Sequence, residues 1–222
     1  MCQTVPGKKL IIVMRDKKLE KIASRFYNPK LPYHNFGHVV TVIRESEKML
    51  QKCSDEGIKV DEKIVYFALL FHDAGYDEDH EALGFDSKEA YSAELAERVL
   101  KENGADGEIV ERVKTAIMST HVDGKCTCAE DRIVRASDLS ELAAEYSVFK
   151  KNTLDLKSEL ENSIGREVSW EEWKRLAVER VELFLREDMA VTSDYYDNGE
   201  SIFHRNTRAN LKTLMADGSE DL

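Results

Sequence analysis

The run Ile64-Val-Tyr-Phe-Ala-Leu-Leu-Phe71 is almost wholly apolar, and it ends in His72 and Asp73. A helix that is apolar on all sides has to be covered on all sides, so this segment belongs at the centre of a helical bundle. It carries an imidazole and a carboxylate into the interior with it. Desolvating an unpaired charge costs several kcal/mol, and the simplest partner for an adjacent His–Asp pair is a divalent cation. Further ligand types are at hand, in Tyr33-His-Asn-Phe-Gly-His38 upstream and in His121 and Asp138 downstream.

The rest of the chain supplies helices to wrap around that centre. Val39, Val42, Ile43, Met49 and Leu50 follow one helix face that begins near Phe36. Asp86-Ser-Lys-Glu89 reads as an N-cap with a capping box, opening a helix that runs to Gly104. The same period recurs over 108–120, over 131–160 as one or two helices, and over 205–215. Ser169-Trp-Glu-Glu172 caps a further helix that ends near Arg186, on which Trp170 and Trp173 are expected to be core. The β-branched cluster Leu10-Ile-Ile-Val-Met14 is short, and alternating strand patterns are absent. The expected fold class is all-α. With 222 residues, three prolines and no Gly/Ser-rich linker, one domain over 1–222 is expected, its core at 20–215 and a polar tail at 216–222 that frays.

Charge narrows the partners. The chain has 32 basic and 43 acidic residues, a formal net charge of -11. An acidic chain without a basic stripe lacks the counterion-releasing surface that gives nucleic-acid binders their affinity, so no stable nucleic-acid partner is expected. No apolar stretch reaches the length of a membrane span and the first residues do not read as a signal peptide. A cytoplasmic protein is expected, with no membrane partner. Cys2, Cys53, Cys126 and Cys128 lack the paired spacing of a zinc ribbon and are read as free thiols; the roles of Cys126 and Cys128 stay open. The acidic loop Asp77-Glu-Asp-His-Glu81 lacks the spacing of a calcium loop and is read as solvated.

The order His38, His72-Asp73, Asp138, each on or at the end of an expected helix, resembles the HD-domain superfamily of metal-dependent phosphohydrolases. The matching segments are Tyr33-His-Asn-Phe-Gly-His-Val39, Phe71-His-Asp-Ala-Gly-Tyr76 and Ala136-Ser-Asp-Leu139. Within that superfamily the chain is most similar to small bacterial predicted phosphohydrolases, which also share a Glu-x-x-Ser helix and a C-terminal Arg-x-Asn-Leu. Here these are Glu89-Ala-Tyr-Ser92 and Arg208-Ala-Asn-Leu211. The resemblance covers roughly residues 20–215 and implies an HD-type helical bundle with a metal site between its central helices.

It also implies that His38, His72, Asp73 and Asp138 ligate a divalent ion. Two imidazoles and two carboxylates suit Mn, Fe, Co, Ni or Zn, with Mg less favoured. The implied chemistry is attack on phosphorus by a water whose pKa the ion lowers, with Asp73 beside that water. His34 matches the position that protonates the leaving oxygen in related cyclic-nucleotide phosphodiesterases. On a helix, His34 and His38 would share a face. One ion is expected. A second is left open through His121 and Glu89, the latter being equally well a capping-box residue. Arg25, Lys30, Arg44 and Lys88 lie near the motifs in sequence, and Arg25 and Lys30 are the candidates for holding phosphate. Relatives often place a basic residue just before Tyr-His-Asn, but in Lys30-Leu-Pro-Tyr33 a proline intervenes.

The expected function is therefore hydrolysis of a small, nucleotide-like phosphomonoester or diester. A di-iron oxygenase of the HD type would need a second ion at His121. A non-catalytic, metal-bound sensing domain would need a lost ligand or closed coordination positions. The sequence does not specify the oligomeric state.

Overall fold

The computed structural model describes residues 15–221, so Cys2 and the Leu10–Met14 cluster lie outside the described residues. Among them are nine α-helices: α1 (Lys17–Ala23), α2 (Phe36–Glu56), α3 (Glu62–Phe71), α4 (Lys88–Glu102), α5 (Gly107–Met118), α6 (Ala129–Asp138), α7 (Tyr146–Ile164), α8 (Trp170–Phe184) and α9 (Ile202–Ala216). The one β element among the described residues is a short antiparallel hairpin. Its strands β1 (Tyr196–Asp197) and β2 (Glu200–Ser201) pair Tyr196 with Ser201 and Asp197 with Glu200. The fold is all-α.

α3 is the centre. Ile64, Val65, Tyr66, Ala68, Leu69, Leu70 and Phe71 are all buried, and α1, α2, α4, α5 and α6 pack around them. Burying a large aliphatic or aromatic side chain stabilises by roughly 1.5–3 kcal/mol, so this one short helix anchors the main hydrophobic cluster. A smaller cluster joins α7, α8 and α9 through Phe149, Val181, Leu185, Leu211 and Leu214. Trp173 is buried on α8, and Trp170 is partly buried beside it. No helix among the described residues is long and apolar enough to cross a membrane.

Polar caps start the helices where the sequence places them. Asn35, Asp61, Asp106, Ser169 and Ser201 each accept a backbone N–H of the first turn they precede. One expectation is corrected and another is narrowed. Ser87, not Asp86, caps α4 by accepting the Ala90 N–H. The 131–160 stretch splits at Asp138 into α6, a 3-10 turn at Ser140–Ala143, and α7. The Asn210 amide, from the Arg208-Ala-Asn-Leu211 motif, holds that turn by donating to the Leu142 and Ala144 carbonyls, both at 2.9 Å. Residues 217–221 make polar contacts back to the bundle. Asp217 accepts from the Tyr146 hydroxyl at 2.8 Å and pairs with Lys150 at 2.9 Å, its carbonyl takes the Trp170 indole N–H at 3.0 Å, and Glu220 pairs with Lys157 at 2.6 Å.

The turn that follows α3 is braced from three sides. Gly75 lies in the left-handed region at φ 73°, and its N–H donates to the Phe26 carbonyl at 2.9 Å. The Ser92 hydroxyl of α4 donates to the Ala74 carbonyl at 2.9 Å, and the Tyr91 ring packs so closely that a Cβ on Gly75 would stand 2.5 Å from it. Gly75→Ala therefore meets both a disfavoured φ and a ring it cannot avoid. We expect a loss of about 2 kcal/mol or more, read as a melting temperature lowered by roughly 4–8 °C.

Candidate metal centre

α2 begins one turn before the site because Asn35 is committed as its cap. Asn35 Oδ1 accepts the Gly37 N–H at 2.7 Å, and its side-chain amide donates to the Leu31 and Pro32 carbonyls. This puts His38 in the first turn of α2. His72 is the C-cap of α3, Asp73 follows in the turn, and Asp138 is the last residue of α6. One ligand atom from each of His38, His72, Asp73 and Asp138 lies within 4.8 Å of every other. α3 and α6 both end here, so the partial negative charge of their carboxyl ends adds to the two carboxylates.

The imidazoles are set for a cation. His72 is 1% exposed, and its Nδ1 lies 2.8 Å from the Leu69 carbonyl. A carbonyl can only accept, so Nδ1 carries the proton and Nε2 presents a lone pair. That Nε2 sits 3.0 Å from Asp73 Oδ2 and 3.3 Å from Asp138 Oδ1, yet is aligned for a hydrogen bond with neither. A buried lone pair facing two carboxylates is repulsive unless positive charge lies between them. His38 Nε2 lies 3.2 Å from Asp138 Oδ1 and 3.8 Å from Asp73 Oδ2, while its Nδ1 faces Glu141 Oε2 at 3.8 Å. The four side chains thus fit a divalent ion, with Glu141 behind one imidazole.

Without an ion, protons take its place. Burial disfavours charge on every member, but the pairing outweighs it. His38 is pushed up to about 9 by Asp138 and Glu141 against its desolvation, and His72 rises well above its ordinary value through the two aspartates. Asp73 and Asp138 are held below the ordinary carboxylate range by the imidazoles.

His34 is not on the helix, contrary to the expected shared face with His38, because the chain at Asn35 is still extended. A residue distant in sequence orients it instead. Glu159 of α7 accepts the backbone N–H groups of Tyr33 and His34 on Oε1 at 2.7 and 2.8 Å, and its Oε2 lies 2.5 Å from His34 Nδ1. Burial would raise the Glu159 carboxyl, but these bonds hold it below its ordinary value. The His34 ring stacks on Tyr76 with centroids 3.6 Å apart, and stands 6.3 Å from the His38 ring. Its Nε2 makes no hydrogen bond among the described residues. The sequence offered no local signal for Glu159, whose partners lie 125 residues away.

The remaining candidates are dispersed. His121 lies beyond the end of α5, and its Nδ1 accepts the Asp123 N–H at 3.2 Å. Glu89 sits in the first turn of α4. Neither joins a cluster of three or more ligand-type side chains among the described residues. The Arg25 and Lys30 side chains are exposed and make no ion pair or ring contact among the described residues. A cation on the same side is Lys88, whose Nζ lies 3.5 Å from the Tyr76 ring centroid and whose burial lowers its pKa against the pull of Asp73. Cys53, Cys126 and Cys128 are free, and burial pushes the Cys126 and Cys128 thiols up to about 11, so both stay protonated and are poor ligands.

An all-α bundle that closes two imidazoles and two carboxylates around one point defines a class of metal-site protein. Residues 35–142 match the family model of the HD domain, a span that runs from the cap of α2 to the turn after Asp138. These residues carry an HD domain. No curated protein matches the chain. Two solved structures from the choanoflagellate Salpingoeca rosetta share the fold. The phosphodiesterase domain of its rhodopsin phosphodiesterase aligns with a TM-score of 0.58 at 14% identity, covering 90% of this chain and 75% of that one. The phosphodiesterase domain of the RhoPDE fusion protein aligns at 0.57 and 15%, covering 96% and 80%.

Because protons and the ion compete for the same nitrogens, loading the site should release protons. Below about pH 9, where His38 is protonated in the ion-free protein, affinity should fall as pH falls, about tenfold per unit for each proton displaced. Titration calorimetry in buffers of different ionisation enthalpy reads the protons released. A pH-independent affinity would overturn the assignment of these imidazoles as ligands.

Proposed function

We propose that the chain is a metal-dependent phosphohydrolase acting on a small phosphomonoester or diester. The observation that carries this reading is the orphaned His72 Nε2 among two carboxylates, with a separately held imidazole, His34, one side chain away. His38, His72, Asp73 and Asp138 would hold the ion, with Mn, Fe, Co, Ni or Zn matching the donor set better than Mg. When bound, such an ion supplies a lowered water pKa and charge neutralisation at a phosphoryl oxygen.

The chain's own groups do the rest. Asp73 orients the attacking water and takes its proton. The water oxygen forms the new bond to phosphorus as the ester P–O bond breaks. His34, held through Nδ1 by Glu159, gives its Nε2 proton to the departing oxygen. Lys88, above the Tyr76 ring, is a better phosphate partner than Arg25 or Lys30. The HD-domain match and the fold shared with phosphodiesterase domains support the reaction class. Neither the oxygenase nor the sensing reading has an observation in its favour, since the oxygenase rests on a second ion at His121.

Asp73→Ala should lose bound metal and activity together, and an active, metal-loaded variant would sink the assignment. His34→Ala should keep its metal, measured by elemental analysis, and slow turnover by about 10²–10⁴-fold. Glu159→Gln should slow turnover with metal content intact, and added to His34→Ala it should cost little more, because the two act as one unit. Independent, multiplying effects would show that Glu159 does not work through His34.

A further inference from the structure

Beside His34 the surface opens into a cleft of about 550 Å³ between α7 and α8, well within the range of small-molecule sites. Tyr76, Lys88 and Glu159 line its inner end, the residues that stack on, flank and hold His34 and Tyr76. The cleft therefore begins where the general acid sits, and a group leaving from phosphorus past His34 would lie in it. Most of its lining is apolar, with Leu142, Phe149, Leu156, Leu160, Trp173 and Leu176 among the walls. Lys88 and Arg180 border it together with the carboxylates of Glu159 and Glu179, and the Arg180 charge reaches the Tyr76 phenol. Among the described lining residues there is no Asn or Gln, and the neutral polar side chains are the hydroxyls of Thr153, Ser163 and Tyr76. A nucleobase presents both donors and acceptors on its edges, and a site built to read one needs partners for them. A cleft with an apolar floor and cations near its phosphate end is instead complementary to an amphiphile.

We propose that this cleft takes the alcohol portion of the substrate and that this portion is apolar, so the substrate is a phosphate ester of an alkyl or similarly greasy alcohol rather than a nucleotide. The proposal rests on the phosphohydrolase reading above and names its substrate class. Lys88 and Arg180 meet the phosphate, and the chain or ring lies along Leu156, Leu160 and Trp173. Each added methylene removes apolar surface from water, which strengthens binding about fourfold until the cleft is full.

The test separates binding from turnover. Metal-loaded wild-type protein is assayed with n-alkyl phosphates from ethyl to decyl and with nucleoside monophosphates. In parallel, octyl phosphate is titrated into metal-free protein while the tryptophan fluorescence is followed, since Trp173 lines the cleft and Trp170 is the only other tryptophan. We expect kcat/KM to climb with chain length and octyl phosphate to shift the emission. Leu176→Asp should weaken that binding by about tenfold. Leu176 is 39% exposed, so the variant should fold, and an unchanged melting curve checks it. If octyl phosphate leaves the fluorescence unchanged, the inference falls whatever the enzyme hydrolyses. Hydrolysis of nucleotides with no gain along the alkyl series likewise overturns it while sparing the phosphohydrolase reading. Octyl phosphate bound at the cleft, with no ester hydrolysed by metal-loaded protein, would keep the cleft and remove the phosphohydrolase reading.

Discussion

Two carboxylates face two imidazoles inside a helical bundle, and the rest of the structure is arranged around the charge they lack. Asp73 and Asp138 both face His72 Nε2, at 3.0 and 3.3 Å. With the His72 proton committed to the Leu69 carbonyl on the other nitrogen, nothing in the first layer of protein cancels them without an added proton or cation. The surrounding elements keep this arrangement from relaxing. Gly75 and Ser92 pin the turn that carries Asp73. Asn210 pins the turn after Asp138. The fully buried Arg135, one turn before Asp138, donates to the carbonyls of Ser119, His121, Val122 and Gly124 and so moors α6 to the end of α5. An electrostatically unfavourable cluster maintained by this many ties is what a preorganised ion site requires.

The parts of this molecule that could be read from sequence are those whose determinants are local. α3 declares itself by being apolar on every face, and Ser169 announces the helix it caps. The four clustered residues could be picked out because each stands in a short motif at a helix end. Where the outcome departed, two signals competed over a short span or the partner was far away. His34 and His38 have helical spacing, yet Asn35 between them is a cap, and the cap prevails. Asp86 and Ser87 are both good caps, and only the second accepts the Ala90 N–H. The Glu159–His34 pair joins residues 125 apart, so no window of sequence contains both. Lys88 on α4 and Arg180 on α8 likewise line one cleft although they are far apart in the chain. Arg25 and Lys30, close to the motifs along the chain, end up exposed.

The shared fold with two choanoflagellate phosphodiesterase domains sets the frame in which the site sits, at identities of 14% and 15% that carry architecture and no more. The HD-domain match is narrower in span and says more, because it ends at the turn just past Asp138 and so encloses the four clustered residues. Function is argued from the site itself, since one fold hosts many chemistries.

That boundary also divides the molecule by task. The residues that cluster around the ion position belong to α2, α3 and α6, packed in or beside the large hydrophobic cluster. The cleft walls belong mainly to α7 and α8, built on a second, smaller one. On the proposed reading, side chains on α7 and α8 shape what is bound while those around α2, α3 and α6 set the ion position. Glu159 is the exception. It stands on α7, lines the cleft, and reaches across to hold the His34 ring and the backbone before α2. A shift of α7 that widened the cleft for a larger substrate would pull His34 with it. If His34 is the proton donor proposed above, Glu159 thus limits how far specificity can vary before that donor is displaced.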